Sequence, residues 1–143
     1  MSALARRWIA IGALLGAVGV TLGAFGAHGL SGFLERQGYA GDDLARRLEI
    51  FDTAVHYQML HALALALTGL ALDRSANACW RFAAWAFLIG VILFSGLLKV
   101  LTFAGPSWNW LGAVVPLGGL SMIVGWLALA AGAMRTKGEA PAN

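Results

Sequence analysis

The chain has 143 residues, of which 59% are hydrophobic and only 12% charged, with a formal net charge of +3. A water-soluble domain of that size is mostly surface, carries roughly 25% charged residues and cannot hide so much apolar side chain. This composition excludes an ordinary soluble enzyme, a disordered chain and a nucleic-acid binder, and the single cysteine, Cys79, excludes a disulfide framework, a CxxC redox pair and a cysteine-only zinc site.

Charges cluster along the chain, and the gaps between the clusters mark membrane spans. No formal charge lies between Arg7 and Glu35, where His28 is the one titratable side chain. The stretch between Asp52 and Asp73 holds only His56, Tyr57 and His61 as titratable groups, and Lys99 alone interrupts the run from Arg81 to Arg135. A membrane-crossing helix needs about 20 apolar residues, and hydrocarbon offers its backbone no partners outside the helix itself. The third gap is too long for one span, and Gly105-Pro106-Ser107 supplies a turn within it. The sequence therefore predicts an all-α polytopic membrane protein, one membrane domain over residues 1–143. Its four-helix bundle has spans at about 8–29, 53–72, 82–103 and 110–134. Trp8, Trp80, Trp85, Trp108 and Trp110 sit at span openings, where indoles favour the headgroup level, and Trp126 lies deeper as a packing residue.

In chain order, Arg6-Arg7 before an apolar run has the look of a secretory leader, but the run is too long, and the first span is read as a retained anchor. The first loop is irregular around Gly38 and Gly41. Asp42 or Asp43 can then cap a short amphipathic helix bearing Leu44, Leu48, Phe51 and Val55, which continues into the second span. Pro116 is expected to kink the fourth helix. The tail after Arg135 is expected to be disordered. Four spans put Arg6, Arg7, Arg74, Arg81, Arg135 and Lys137 on one side and Arg36, Arg46, Arg47 and Lys99 on the other. The excess of basic residues places both termini in the cytoplasm, with the chain in the inner (plasma) membrane.

Nothing apolar drives helices together inside lipid, so close backbone approach must do so. Gly12, Gly16, Gly19, Gly23 and Gly26 follow steps of four and three on the first helix, and Gly118, Gly125 and Gly132 recur on the fourth beside Gly119. These stripes are read as helix-packing faces; the same face could serve a homodimer or another membrane protein.

Polar residues within the apolar layer are costly and are weighed one by one. Helical spacing puts Tyr57, Gln58 and His61 on neighbouring parts of one face, and His28, at the outer end of the first span, could reach them if the first two helices pack as a hairpin. The leading reading is an interhelical hydrogen-bond cluster near the outer side that fixes register. Alternatives are a proton or small-solute pathway through the histidines and, from a different class, axial haem or metal ligation by His28 and His61 in a redox subunit. Asp52 and His56 are spaced to pair at the interface, and Lys99 is expected to snorkel outward. No P-loop, HExxH or GxSxG is present and no paired acids lie within a span, so no catalytic residue is assigned and the chain is read as non-enzymatic.

Two segments carry a family resemblance. Gly23-Ala24-Phe25-Gly26-Ala27-His28-Gly29-Leu30 is similar to the GAFGAHGL signature of the YgdD/YwdK-like small membrane proteins, the domain-of-unknown-function 423 group related to eukaryotic transmembrane protein 256. The stretch from Thr53 to Leu65, TAVHYQMLHALAL, resembles that group's second signature. Phe94-Ser95-Gly96, Pro116-Leu117-Gly118-Gly119 and Gly125-Trp126 resemble its third and fourth helices, so that the likeness runs from about Trp8 to Ala131. It implies a four-helix inner-membrane protein and brings no established activity, substrate or cofactor. One departure is that the family often has a serine and a tyrosine where this chain has Leu97-Leu98-Lys99.

The whole reading requires hydrocarbon around the spans. Purified without any amphiphile, the chain is expected to aggregate; a monodisperse peak in plain buffer on size-exclusion chromatography would overturn it.

Overall fold

The computed structural model describes residues 1–135 and is built from helices, with no strand among those residues. The tail expected to be disordered, with Lys137, lies outside the described residues. Four helical stretches are long and apolar enough to cross a membrane: Ala3–His28, Gly41–Arg74, Ala78–Phe103 and Ser107–Arg135.

Helix α1 (Ala3–His28) is capped by Ser2, whose hydroxyl accepts from the Ala5 amide at 3.1 Å. It breaks at Gly29 and is followed by a short helix, α2 (Leu30–Arg36). The early part of the first loop is thus helical rather than irregular up to Arg36. Leu30 and Leu34, one turn apart, are buried with Phe51 and Val55, and that burial holds the extra two turns. Gly38 (φ +90°) and Gly41 (φ +57°) then take left-handed backbone, which side-chain-bearing residues avoid, and turn the chain into α3 (Gly41–Arg74). Neither Asp42 nor Asp43 caps this helix. Ala40 holds the cap position, and the two carboxylates occupy the first turn, where they face the positive end of the helix dipole.

At 34 residues, α3 is about 51 Å long, against about 30 Å for the hydrocarbon layer. Its charges explain the excess. Asp42, Asp43, Arg46, Arg47, Glu49 and Asp52 all precede Thr53, so the amphipathic helix and the second span form one continuous rod whose first third stands outside the apolar layer.

The third span is α4 (Ala78–Val91), a π-helical turn (Ile92–Gly96) and α5 (Leu97–Phe103). The Asn77 side chain caps its start by accepting from the Cys79 amide at 2.8 Å. The fourth begins as a 3-10 segment (Pro106–Ala113) and continues as α6 (Val115–Arg135). Pro116 therefore does not kink a helix interior. It is the second residue of α6, where its missing N–H leaves no hydrogen bond broken.

The helices pack in chain order: α1 chiefly along α3, α3 along the third span, and α6 along α4. Trp8, Leu65, Leu72, Trp80, Ala83, Ala84 and Phe87 form the main buried cluster. Trp8 was expected at the headgroup level but is buried at 3% exposure, edge-on to Trp85 at 5.1 Å, so it joins α1 to α4 rather than to lipid. Exposed side chains along the spans are apolar: Leu14 and Val18 on α1, Leu63, Leu67 and Leu70 on α3, Leu117, Leu120 and Leu127 on the fourth span. One end of the bundle gathers the N-terminus, second loop and end of α6. There the Ser2 amide donates to Asp73 at 2.6 Å, Asn77 Nδ2 to the Gly132 carbonyl at 3.0 Å, and Arg135 to Cys79 Sγ at 3.5 Å.

Glycines set the approach of the helices. A methyl group on Gly12 would lie 2.6 Å from the Ala62 carbonyl oxygen, and one on Gly26 would lie 3.1 Å from the Phe51 ring. On the fourth span, Gly118 faces the Phe94 amide, Gly125 the Phe87 ring and Gly132 the Trp80 indole. The same rule applies from the other side at Gly69 against Ile9 and at Gly90 against Met122. Gly16 is the exception among the stripe residues, with nothing within 4 Å of where its Cβ would be. It lies about 60° round the helix from Gly19, far enough to leave the seam. Gly118→Ala is expected to lower the melting temperature in detergent, because overpacking against backbone costs about 1–3 kcal/mol, whereas Gly16→Ala leaves it unchanged or slightly higher. Equal tolerance at the two positions in a thermal-unfolding assay would refute this account of the seam.

Candidate functional site

Gln58 and His61 stand one turn apart on α3 and are both buried, at 3% and 4% exposure. By helical rise they lie about 9 and 14 Å beyond Asp52, the last charge of the rod, so Gln58 is in the third of the apolar layer nearest the first loop and His61 near its middle. No water is available at that depth, and each polar atom must be answered by the protein.

Gln58 is answered at both ends. Its Nε2 donates to the Leu15 carbonyl of α1 at 2.7 Å, and its Oε1 accepts from the Lys99 ammonium of α5. Close approach of α1 and α3 makes the first contact feasible: a methyl group on Gly12, one turn before Leu15, would collide with the α3 backbone at Ala62, and one on Gly19 would collide with the Met59 thioether. Lys99 therefore does not snorkel outward but turns into the bundle. The π turn just before it inserts a residue, which rotates the following helix by about 100° relative to an uninterrupted one and brings Lys99 towards α3. Lys99, Gln58 and Leu15 form a polar string across three spans.

His61 is also answered at both nitrogens. Nδ1 lies 2.8 Å from the Tyr57 carbonyl, and Nε2 lies 3.2 Å from Trp126 Nε1 on α6. A carbonyl only accepts and an indole N–H only donates. The tautomer is thereby assigned: His61 carries its hydrogen on Nδ1, donates it to Tyr57, and accepts from Trp126 on Nε2. Trp126 is more than the packing residue expected. Phe87 completes an aromatic cage, its ring 5.6 Å from His61 and 5.1 Å from Trp126.

The other expected members are arranged differently. The Tyr57 ring stacks parallel to His61 at 6.1 Å and leans on Phe94 at 4.7 Å, but Tyr57 is exposed on the flank of the cluster. His28 does not join it. Helices α1 and α3 do pack as antiparallel neighbours, yet the glycine contacts fix a register with Leu15 beside Gln58, and His28 lies about 20 Å further along α1, exposed. His28 and His61 consequently do not face each other across a haem- or metal-sized gap. Asp52 and His56 form no ion pair. Asp52 lines a cleft of about 340 Å³ with Gly23, Gly26, Ser31 and Phe51, while the His56 ring turns the other way, towards Tyr57 at 6.1 Å. Among the described residues no group of three or more His, Cys, Asp or Glu side chains is placed to hold a metal.

Arg47 was not singled out in the sequence, where it is one of several loop charges. Its side chain, at 12% exposure, donates to the carbonyls of Thr102 at 2.6 Å, Ala104 at 3.2 Å and Leu101 at 3.4 Å, the unpaired C-terminal carbonyls of α5. Asp43 pairs with it at 3.2 Å, and the Tyr39 ring lies 3.7 Å beneath its guanidinium. A planar five-donor group can satisfy several carbonyls at once, and an arginine just outside the second span therefore caps the third.

Apolar outer faces, glycine seams and inward-turned polar groups define a polytopic α-helical membrane protein. Comparison with known proteins narrows the class. The family described as "Protein of unknown function (DUF423)" matches residues 22–119. A UPF0382 membrane protein of Haemophilus influenzae is 36% identical over 132 residues, 92% of this chain and 97% of its own length. The UPF0382 membrane protein YwdK of Bacillus subtilis is 35% identical over 91% of this chain and 98% of its own, and the UPF0382 membrane protein SH2409 of Staphylococcus haemolyticus is 38% identical over 87% and 92%. The chain belongs to this family of uncharacterised membrane proteins. No solved structure matches it.

The polar string makes a coupled prediction. Gln58→Leu strands the Lys99 ammonium without its acceptor and is expected to cost about 1–3 kcal/mol of stability in detergent. Adding Lys99→Met removes the stranded charge, so the double variant should be more stable than Gln58→Leu alone. Additive losses in the thermal-unfolding cycle would show that the two residues do not interact.

Proposed function

We propose that this is a non-enzymatic protein of the inner (plasma) membrane, with both termini in the cytoplasm, in which the polar residues of the spans are interhelical ties. The observation that carries this reading is the two-ended commitment of Gln58 and His61. Gln58 spends its amide nitrogen on Leu15 and its oxygen on Lys99, and His61 spends both ring nitrogens on Tyr57 and Trp126. A metal ligand or general base needs a lone pair open to its target, and the one ring lone pair of His61 is directed at the Trp126 N–H. The orientation is supported by the basic residues. With Lys99 drawn into the bundle, Arg36, Arg46 and Arg47 remain on the first-loop side, against Arg6, Arg7, Arg74, Arg81, Arg135 and Lys137 on the side of the termini.

A second reading, a small-solute or proton transporter or channel component, is favoured by Lys99 itself. Its one polar contact is the neutral Gln58 amide, and it has no carboxylate partner among the described residues. Charged groups inside spans commonly mark conduction paths. Liposomes holding the purified chain and an internal pH-sensitive dye separate the two readings. The expected result is a proton leak equal to that of protein-free liposomes, with His61→Ala and Lys99→Met changing the melting temperature only. A pH-driven flux that disappears in either variant would establish the transport reading instead. A Soret band or stoichiometric metal in the detergent-purified protein, lost in His61→Ala, would establish a redox subunit.

A further inference from the structure

A cavity of about 480 Å³ lies where the rod of α3 passes the end of the third span and the 3-10 segment that opens the fourth. Its walls include Tyr39, Asp43, Arg46, Arg47, Leu101 and Asn109. One wall is rigid, because Arg47 is held by three carbonyls, Asp43 and the Tyr39 ring. Beside that fixed guanidinium stands a free one: the Arg46 side chain is exposed and makes no hydrogen bond or ion pair among the described residues. Asp43 spends one carboxylate oxygen on Arg47, and its side chain is half exposed.

Depth says what reaches this cavity. Asn109 is flanked by Trp108 and Trp110, both exposed, and exposed indoles at a span opening sit among lipid headgroups. Charge says which headgroup fits. Residues 35–52 hold three arginines and five carboxylates, which disfavours a purely anionic ligand. Asp43 and Arg46 are three residues apart on one helix, with Cβ atoms about 5–6 Å apart. A negative and a positive group at that spacing complement a phosphate and a primary ammonium joined by a two-carbon linker.

We propose that this cavity is a binding site for the headgroup of an aminophospholipid, with its phosphate on Arg46 and its ammonium on the open side of Asp43. Arginine matches phosphate by paired N–H donors, and a carboxylate accepts from a primary ammonium but not from a quaternary one. The site therefore distinguishes phosphatidylethanolamine from phosphatidylcholine, which carries the same phosphate, and from phosphatidylglycerol, which lacks the amine. This inference does not rest on the reading of Gln58 and His61 as ties.

The test uses the full chain in a mild detergent, with phosphatidylethanolamine, phosphatidylcholine or phosphatidylglycerol titrated into the micelles and binding read by native mass spectrometry. Phosphatidylethanolamine is expected to bind about tenfold more tightly than the other two; Asp43→Asn is expected to abolish that preference, whereas Arg46→Gln weakens all three lipids and Arg46→Lys keeps part of the binding. Arg46 makes no hydrogen bond or ion pair among the described residues, so both Arg46 variants should melt at the wild-type temperature in lipid-free detergent. Equal binding of all three lipids, a preference for phosphatidylglycerol, a preference that survives Asp43→Asn, or undiminished binding in Arg46→Gln would each overturn the proposal. Glycerophosphoethanolamine supplies the last arm. Competition by this soluble headgroup at micromolar concentration would move the assignment from a lipid to a free phosphoamine.

Discussion

Hydrocarbon cannot form hydrogen bonds, and nearly every feature of this chain follows from that. Backbone groups are satisfied within helices, so the spans are helical from end to end. Side-chain polar atoms have no such built-in partner; Thr68 and Thr102 turn back to a carbonyl one turn earlier on their own helix, and others reach a neighbouring helix. Gln58 finds Leu15 and Lys99, His61 finds Trp126, Trp80 donates to the Leu129 carbonyl at 3.1 Å, and Ser121 to the Ala86 carbonyl at 2.8 Å. These bonds join α1 to α3, α3 to α5 and α6, and α4 to α6. They are the directional ties in a molecule whose apolar contacts give little preference for one rotation over another.

Glycine and polar ties are two parts of one device. A side chain of ordinary length can reach a backbone carbonyl on a neighbouring helix only if the two backbones are close. Gly12 shows this directly: the methyl it lacks would lie 2.6 Å from the Ala62 carbonyl oxygen, and one turn away Gln58 reaches the Leu15 carbonyl. The fourth span repeats the logic: Gly118, Gly125 and Gly132 bring α6 against the third span, and Ser121, Leu129 and Gly132 then exchange hydrogen bonds with it. The one stripe glycine outside the seam, Gly16, has open space where its Cβ would be.

What the sequence disclosed and what it hid divide along the same line. Charge is excluded from hydrocarbon whatever the packing, so the gaps between charges locate the spans without knowledge of any neighbour. The continuous helix through Asp52 into the second span was legible because Leu44, Leu48, Phe51 and Val55 keep helical step across the boundary. Partners across helices were not legible, because they depend on register, and register is set by contacts distant in sequence. His28 and His61 both lie on helices that do pack together, yet the seam sets His61 level with Gly12, about 24 Å from His28 along α1. Lys99 was misread for a different reason: the π turn at Ile92–Gly96 changes the phase of α5, and no residue type in that stretch announces it. Trp8 was misread because an indole near a span opening suits lipid headgroups and a buried helix seam equally well; the choice fell to Trp85 opposite it.

The two arginines of the first loop show how far residue type alone falls short of role. Arg46 and Arg47 are adjacent, with the same charge and the same neighbours in sequence. Successive helical residues differ by about 100° in direction, however, and that difference sends Arg47 onto the carbonyls that end α5 and leaves Arg46 in the open. One guanidinium is consumed by the fold. The other stays available at the depth of the headgroups because its neighbour has already met the structural need. What sets Arg46 apart from the other exposed arginines is its place on the wall of the cavity beside Asp43 and Asn109, where we propose that it meets a lipid phosphate.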